Sequence, residues 1–223
     1  MKDRPAASRK SRVRLASAAG RSASSQRWLA RQLNDPYVTA AKASGLRSRS
    51  AYKLLELNDR FHLVRPGAKV LDLGAAPGGW TQAALALGAG RVVAIDLLPI
   101  EPIAGAFILT ADAADPDFVE RLRPLIGGAA DLVLSDMAPA TTGHAATDHL
   151  RIMALAELAF ERAADVLNPG GSFVVKLFQG GAEASFLSTL KRRFVSVRHA
   201  KPPASRPESR ELYLVAMGFR VPG

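Results

Sequence analysis

The stretch Lys69-Val70-Leu71-Asp72-Leu73-Gly74-Ala75-Ala76-Pro77-Gly78-Gly79-Trp80 reads as a buried strand, a glycine-rich turn and the start of a helix. The strand is a continuous apolar run broken by one acid, which is the pattern of a strand covered on both faces. Three more runs of the same kind follow: Arg91 to Leu97, Asp131 to Asp136 and Ser172 to Phe178. Ala106 to Ala111 reads as a further strand. Helical segments separate most of them: Trp80 to Leu87, Pro116 to Leu125, Thr147 to Leu167 and Glu183 to Phe194. Pro116 suits a first helical turn, and Asn168-Pro169-Gly170-Gly171 is expected to close the long helix. Val195 to Ala200 and Glu211 to Phe219 follow one another without a helix, so they should pair antiparallel. The expectation is an open α/β sandwich: a mostly parallel, seven-stranded sheet with an antiparallel last strand and helices on both faces. Upstream, Asp35 to Ala43 and Ser50 to Phe61 read as short helices, with Ser50 a candidate N-cap.

In open parallel sheets ligands bind beyond the carboxyl ends of the strands. The turn at Gly74 to Gly79 has small residues that let a ligand approach the backbone. The second strand ends in Asp96, 22 residues after Gly74, at a spacing suited to ribose hydroxyls. Asp112 follows the third strand. Gly74-x-x-x-Gly78-Gly79 departs from the G-x-G-x-x-G pattern of dinucleotide sites, which disfavours a nicotinamide oxidoreductase. The arrangement suits a single adenosine with a short tail, as in S-adenosylmethionine.

The fourth strand ends at Ser135-Asp136-Met137-Ala138-Pro139, and Lys176 interrupts the apolar fifth strand. A lysine in a buried strand is costly unless paired. One strand–helix–strand unit separates it from Asp136, so adjacent strand ends can present the two together. Glu211 opens the antiparallel strand at the same edge, and Lys53 lies on the helix that precedes the sheet. Two readings stay open from the residues alone: a reactive foursome, or a buried ion pair with Lys53 a solvated helix residue. Of His62, His144, His149 and His199, the pair His144 and His149 lie five apart in a Thr/Gly/Ala-rich loop without the acid partners of a metal site, so no metal is expected. Trp28 and Trp80 read as packing or cofactor-wall residues.

The chain has 223 residues, 48% of them hydrophobic, no cysteine and a net charge of +10. Disulfides, thiolate catalysis and Cys-ligated zinc are excluded. No run approaches a membrane span and the N-terminus lacks a secretory core, so a cytoplasmic protein without a membrane partner is expected. The charge is uneven. Up to Arg47 there are eleven cations against Asp3 and Asp35, whereas the remainder carries 19 cations and 18 acids. Residues 1–27 read as a basic, disordered arm and 28–223 as one domain. Such an arm suits a polyanion, with nucleic acid ranked ahead of a transit segment or a solvated tail.

Several segments together resemble the FtsJ-type ribosomal RNA large-subunit 2′-O-ribose methyltransferases. They are Arg21 to Leu29, Gly45 to Lys53, Asp72 to Trp80, Asp96-Leu97-Leu98-Pro99, Ser135 to Pro139, Val175 to Phe178 and Ser205 to Tyr213. The resemblance implies a Rossmann-like S-adenosylmethionine-dependent methyltransferase fold. It implies a Lys-Asp-Lys-Glu catalytic tetrad at Lys53, Asp136, Lys176 and Glu211. It implies cofactor contacts at Gly78, Trp80, Asp96, Asp112 and Asp136, and no metal. The implied substrate is a uridine ribose in the A loop of large-subunit rRNA, methylated by a monomer on the assembled subunit. A transfer RNA anticodon ribose, an mRNA cap and a non-catalytic assembly role are the alternatives. Ala140-Thr141-Thr142 departs from the Asn-Met-Ser that family members often carry there, and the first twenty residues fall outside the match.

Overall fold

The computed structural model describes residues 22–179 and 184–221. Their elements run α1 (Ala23–Leu33), α2 (Pro36–Ala43), α3 (Ala51–Phe61), β1 (Lys69–Leu73), α4 (Gly79–Ala86), β2 (Arg91–Asp96) and β3 (Ala106–Thr110). Then come α5 (Phe118–Ile126), β4 (Ala130–Ser135), α6 (Ala145–Val166), β5 (Leu167–Phe178), α7 (Ala184–Arg193), β6 (Phe194–Ala200) and β7 (Glu211–Phe219). The seven strands form one sheet in the order β3-β2-β1-β4-β5-β7-β6. Neighbours from β3 to β5 pair parallel; β7 runs antiparallel to both β5 and β6. This is the sheet expected from the alternating strands and helices.

Because side chains alternate along a strand, a continuous apolar run supplies both faces. Leu71, Leu73, Val133, Phe173 and Val175 pack with α5, α6 and α7. Val70, Leu132, Leu134 and Val174 pack with α3 and α4. Asp72, Lys176 and Tyr213 share the α3/α4 face, each two residues along the strand from a member of that second layer. That phase brings polar groups together at one end of the sheet.

Four local expectations need correction. Helix α1 begins at Ala23, ahead of the Trp28 boundary drawn from composition, because Ser22 caps it through the Ser25 N–H. Residues 1–21 of that arm lie outside the described residues. Ser50 precedes α3 but does not cap it with its side chain. Its hydroxyl pairs with Ser48 instead, and its carbonyl takes the Trp80 indole N–H at 2.8 Å. Pro116 lies in the turn before α5, which starts at Phe118. Asn168-Pro169-Gly170-Gly171 follows the end of α6 at Val166 as expected, but it already belongs to β5, which starts at Leu167 rather than Ser172. There Asn168 Nδ2 donates to Asp131 Oδ1 and the Ala129 carbonyl, fastening the segment to β4, and a register shift near Ala130 absorbs it.

Candidate active site

The carboxyl ends of β1, β2 and β4 open on a cavity of about 650 Å³, within the range that small-molecule sites occupy. Asp96, Asp112 and Asp136 line it, together with Leu73, Ile95 and Leu158. Asp96 accepts the backbone N–H of Ala76 on Oδ2 and of Leu98 on Oδ1, which fixes the carboxylate and ties the β1 turn to the end of β2. Asp112 is held similarly by the Ala114 N–H. Three acids around an apolar slot fit an adenosine that carries ribose hydroxyls and a cationic tail. S-adenosylmethionine has that chemistry.

Gly78 and Trp80 are not brought to this cavity wall. A Cβ on Gly78 would meet Ile103 and Arg47, and one on Gly79 would meet the Ser48 hydroxyl. A Cβ on Gly74 would strike Met137. A Cβ at each of these positions would therefore meet protein atoms, and Gly74 also lines the cavity. Trp80 is 2% exposed and its ring lies 5.5 Å from that of Tyr213, so it forms the floor beneath the polar cluster. Arg47, which sequence reasoning left among the arm's cations, clamps the turn: its guanidinium donates to the carbonyls of Pro77, Glu101 and Pro102. The side chain of Trp28 lies outside the described ones. Among the described residues no three His, Asp or Glu side chains gather as a metal would require, and no helix is long and apolar enough to cross a membrane.

Lys53, Asp136, Lys176 and Glu211 come together as two linked ion pairs. Lys53 Nζ is 2.7 Å from Glu211 Oε1, and Lys176 Nζ is 2.8 Å from Asp136 Oδ1. Lys176 also donates to the Asp136 carbonyl oxygen at 2.5 Å. Tyr213 joins the pairs: its hydroxyl donates to Asp136 Oδ1 at 2.8 Å and accepts from Lys53 Nζ at 3.2 Å. Burial alone would raise the Asp136 carboxyl, but the Lys176 and Lys53 ammonium groups, with hydrogen bonds from Lys176 and Tyr213, hold it below the usual carboxylate range. Burial, with the charges of Asp136 and Glu211, pushes the Tyr213 hydroxyl well above the usual phenol value, so it stays a donor. Sequence reasoning missed Tyr213. Its signal was position, since it lies two residues after Glu211 on the same face and faces Lys176 directly in the β5–β7 ladder.

The tetrad is a wall between two cavities. Asp136 lines the large one, while Lys53 and Glu211 line a second, of about 220 Å³, on the α3 side. The loop after Asp136 is pinned to α6, because the N–H and hydroxyl of Thr142 both donate to Asp148 Oδ1. These two bonds hold the Asp148 carboxyl below its usual range.

A family model described as FtsJ-like methyltransferase matches residues 46–219. The chain belongs to the FtsJ-like methyltransferase family. The match runs from just before Arg47 to the last strand and takes in Lys53, Asp136, Lys176 and Glu211. The chain is 62% identical to a ribosomal RNA large subunit methyltransferase E from Granulibacter bethesdensis, over 95% of this chain and 92% of that one. Identity is also 62% to the protein of the same name from Acidiphilium cryptum, over 95% and 94% of the two chains. A crystal structure assigned as a ribosomal RNA methyltransferase of Plasmodium falciparum superposes with a TM-score of 0.69 at 28% identity. It covers 78% of this chain and 98% of the other. As a family member the protein is a methyltransferase on a Rossmann-like sheet, as the sequence motifs imply.

Proposed function

We propose that this protein 2′-O-methylates a uridine ribose in large-subunit rRNA, in the A loop of the peptidyl-transferase centre, late in subunit assembly. The observation that carries the reading is the tetrad's place between two cavities, one suited to a methyl donor and one open toward the acceptor. Relatives 62% identical that are named for the large-subunit rRNA support the substrate. The proposed compartment, the cytoplasm, follows from the proposed partner, the ribosomal subunit.

When bound, S-adenosylmethionine supplies a methyl group on a sulfonium sulfur, which leaves as a neutral thioether once the ribose oxygen has taken the methyl. Asp96, Asp112 and Asp136 hold that donor. Lys53 and Glu211 place the ribose hydroxyl from the other cavity. Lys176 first gives up its ammonium proton to solvent and then, as a neutral amine, accepts the hydroxyl proton. A neutral amine has two N–H bonds and one lone pair, and the two Asp136 oxygens take both N–H groups. The remaining tetrahedral direction is the one that receives the proton. Asp136 then faces a full ammonium, and Tyr213 keeps that carboxylate fixed. Alignment of the two reactants is worth on the order of 7–11 kcal/mol, and proton removal adds about 10²–10⁴-fold.

The test is methyl transfer to large subunits purified from cells lacking this protein, with labelled S-adenosylmethionine and mapping of the modified ribose. One A-loop uridine is the expected product. Transfer to transfer RNA or capped RNA in its place overturns the substrate, and no transfer to any RNA overturns the reaction.

A further inference from the structure

Asp72 is a buried acid that takes no part in the proposed methyl transfer. It is fully buried on β1, directly before Leu73 and Gly74, which line the donor cavity. Its neighbours in register are Ala94 on β2 and Leu134 on β4, both apolar and fully buried. From α4 the Thr81 hydroxyl donates to Oδ2 at 2.7 Å, and Oδ1 has no hydrogen-bond partner. The cations of adjoining elements are engaged elsewhere: Lys53 of α3 pairs with Glu211, and Lys176 of β5 pairs with Asp136. Tyr213 of β7 also donates its hydroxyl to Asp136. The charges that Asp72 does feel are those of Asp136, just past β4, and Asp96, at the end of β2. Both line the donor cavity.

A buried carboxyl with two carboxylates for neighbours and no cation of its own keeps its proton. The Asp72 carboxyl is accordingly raised from 3.8 to about 7. The path by which those carboxylates act on it is open to a cation as well. A positive charge bound in the cavity beside Asp96 and Asp136 has the opposite sign and loosens the proton. S-adenosylmethionine carries such a charge on its sulfur. The product of methyl transfer, S-adenosylhomocysteine, has the same nucleoside and the same amino-acid tail but a neutral sulfur.

We propose that Asp72 is a buried proton switch by which the donor cavity tells the methyl donor from the spent product. It gives its proton to solvent when the sulfonium binds and takes one back from solvent once the methyl group has left. The proposal rests on the reading of the larger cavity as the S-adenosylmethionine site. Asp72 does not line that cavity and acts through its charge alone. The ionised carboxylate attracts the sulfonium, so donor affinity rises as pH climbs through neutrality. The neutral sulfur of the product gains far less, so the spent cofactor is the weaker ligand where Asp72 can ionise.

The experiment measures dissociation constants of S-adenosylmethionine and S-adenosylhomocysteine for the full chain by calorimetry, in buffers of different ionisation enthalpy. The two ligands share a tail, so its titration cancels in the ratio of their constants. A sulfonium that loosens the Asp72 proton about tenfold is at the low end for an opposite charge nearby. The product-to-donor ratio of dissociation constants should then rise about fivefold between about pH 6 and pH 8. Near neutral pH the donor should release about 0.4 more protons than the product. Both effects should vanish in Asp72→Asn. Thr81→Val removes the bond that favours the carboxylate, so there the rise should move to higher pH. A ratio independent of pH in the unmutated protein, or a slope retained by Asp72→Asn, overturns the switch. Equal proton release by the two ligands overturns it too, and that measurement needs no variant to fold. A chain that binds neither ligand is a separate result, which removes the reading of the cavity and this proposal with it.

Discussion

Asp72 should make the protein less stable as pH rises through neutrality, and Asp72→Asn should abolish that effect. Asp72 is fully buried on β1; Oδ2 accepts the Thr81 hydroxyl at 2.7 Å, and Oδ1 has no hydrogen-bond partner. Burial, opposed by the Thr81 bond and reinforced by the charges of Asp136 and Asp96, raises its carboxyl from 3.8 to about 7. The folded state therefore keeps a proton that the unfolded chain loses near pH 3.8, so folding is favoured at low pH and weakened as pH climbs to 7. The contribution falls by roughly 2–3 kcal/mol between about pH 5 and pH 8, levelling above 7. Asparagine still accepts from Thr81 and does not titrate. Any constant cost of its buried amide shifts the whole curve without tilting it. Urea unfolding of both proteins at several pH values measures the difference directly. The variant should gain on the parent by that amount across the window, or roughly 5–10 °C in thermal midpoint for a chain of this size. A difference independent of pH would show that Asp72 is ionised in the fold throughout, and that its unpartnered oxygen has a partner after all.

Tyr213→Phe removes the donor between the two ion pairs, and single-turnover methylation should fall about tenfold with cofactor affinity kept; an unchanged rate would make the hydroxyl a packing detail. Lys176→Arg keeps the charge but not a removable proton, so the single-turnover rate should drop by at least about 100-fold while the labelled cofactor still binds. A near-normal rate there reduces Lys176 to a positioning cation. Deleting residues 1–20, with Lys2, Arg4, Arg9, Lys10, Arg12 and Arg14, should weaken RNA binding and flatten its salt dependence. Cofactor titration of the shortened chain should match that of the full one.

The sheet was legible because it follows from periodicity, whereas the residues alone left the foursome open and only the family resemblance implied a tetrad. Apolar runs announce covered strands, and an isolated lysine in such a run must find an acid, which Lys176 does at Asp136. What escaped reading depended on contacts between distant segments. The glycines of the Gly74 to Gly79 turn read in sequence as room for a ligand; the fold adds that Met137, Ile103 and Ser48 also crowd them. Tyr213 looks like one more apolar strand residue until the β5–β7 register sets it opposite Lys176. Arg47 and Arg49 are indistinguishable as cations in the chain, but one clamps a turn over the sheet edge and the other faces the acceptor cavity. Asn168 to Gly171 carries every mark of a helix stop, and does stop the helix. Its pairing with β4 depends on the Asn168 contacts with Ala129 and Asp131, which no local pattern announces.

Strand β7 is made after all the others but lies between β5 and β6. During synthesis β6 therefore has no sheet neighbour until β7 slides in, and Glu211 and Tyr213 arrive with that same insertion. The order of translation becomes an interlock: a chain that stops short of this strand has its donor cavity walls but neither the acid for Lys53 nor the hydroxyl between the pairs. A copy that lacks β7 therefore also lacks two of the side chains on which the proposed methyl transfer relies.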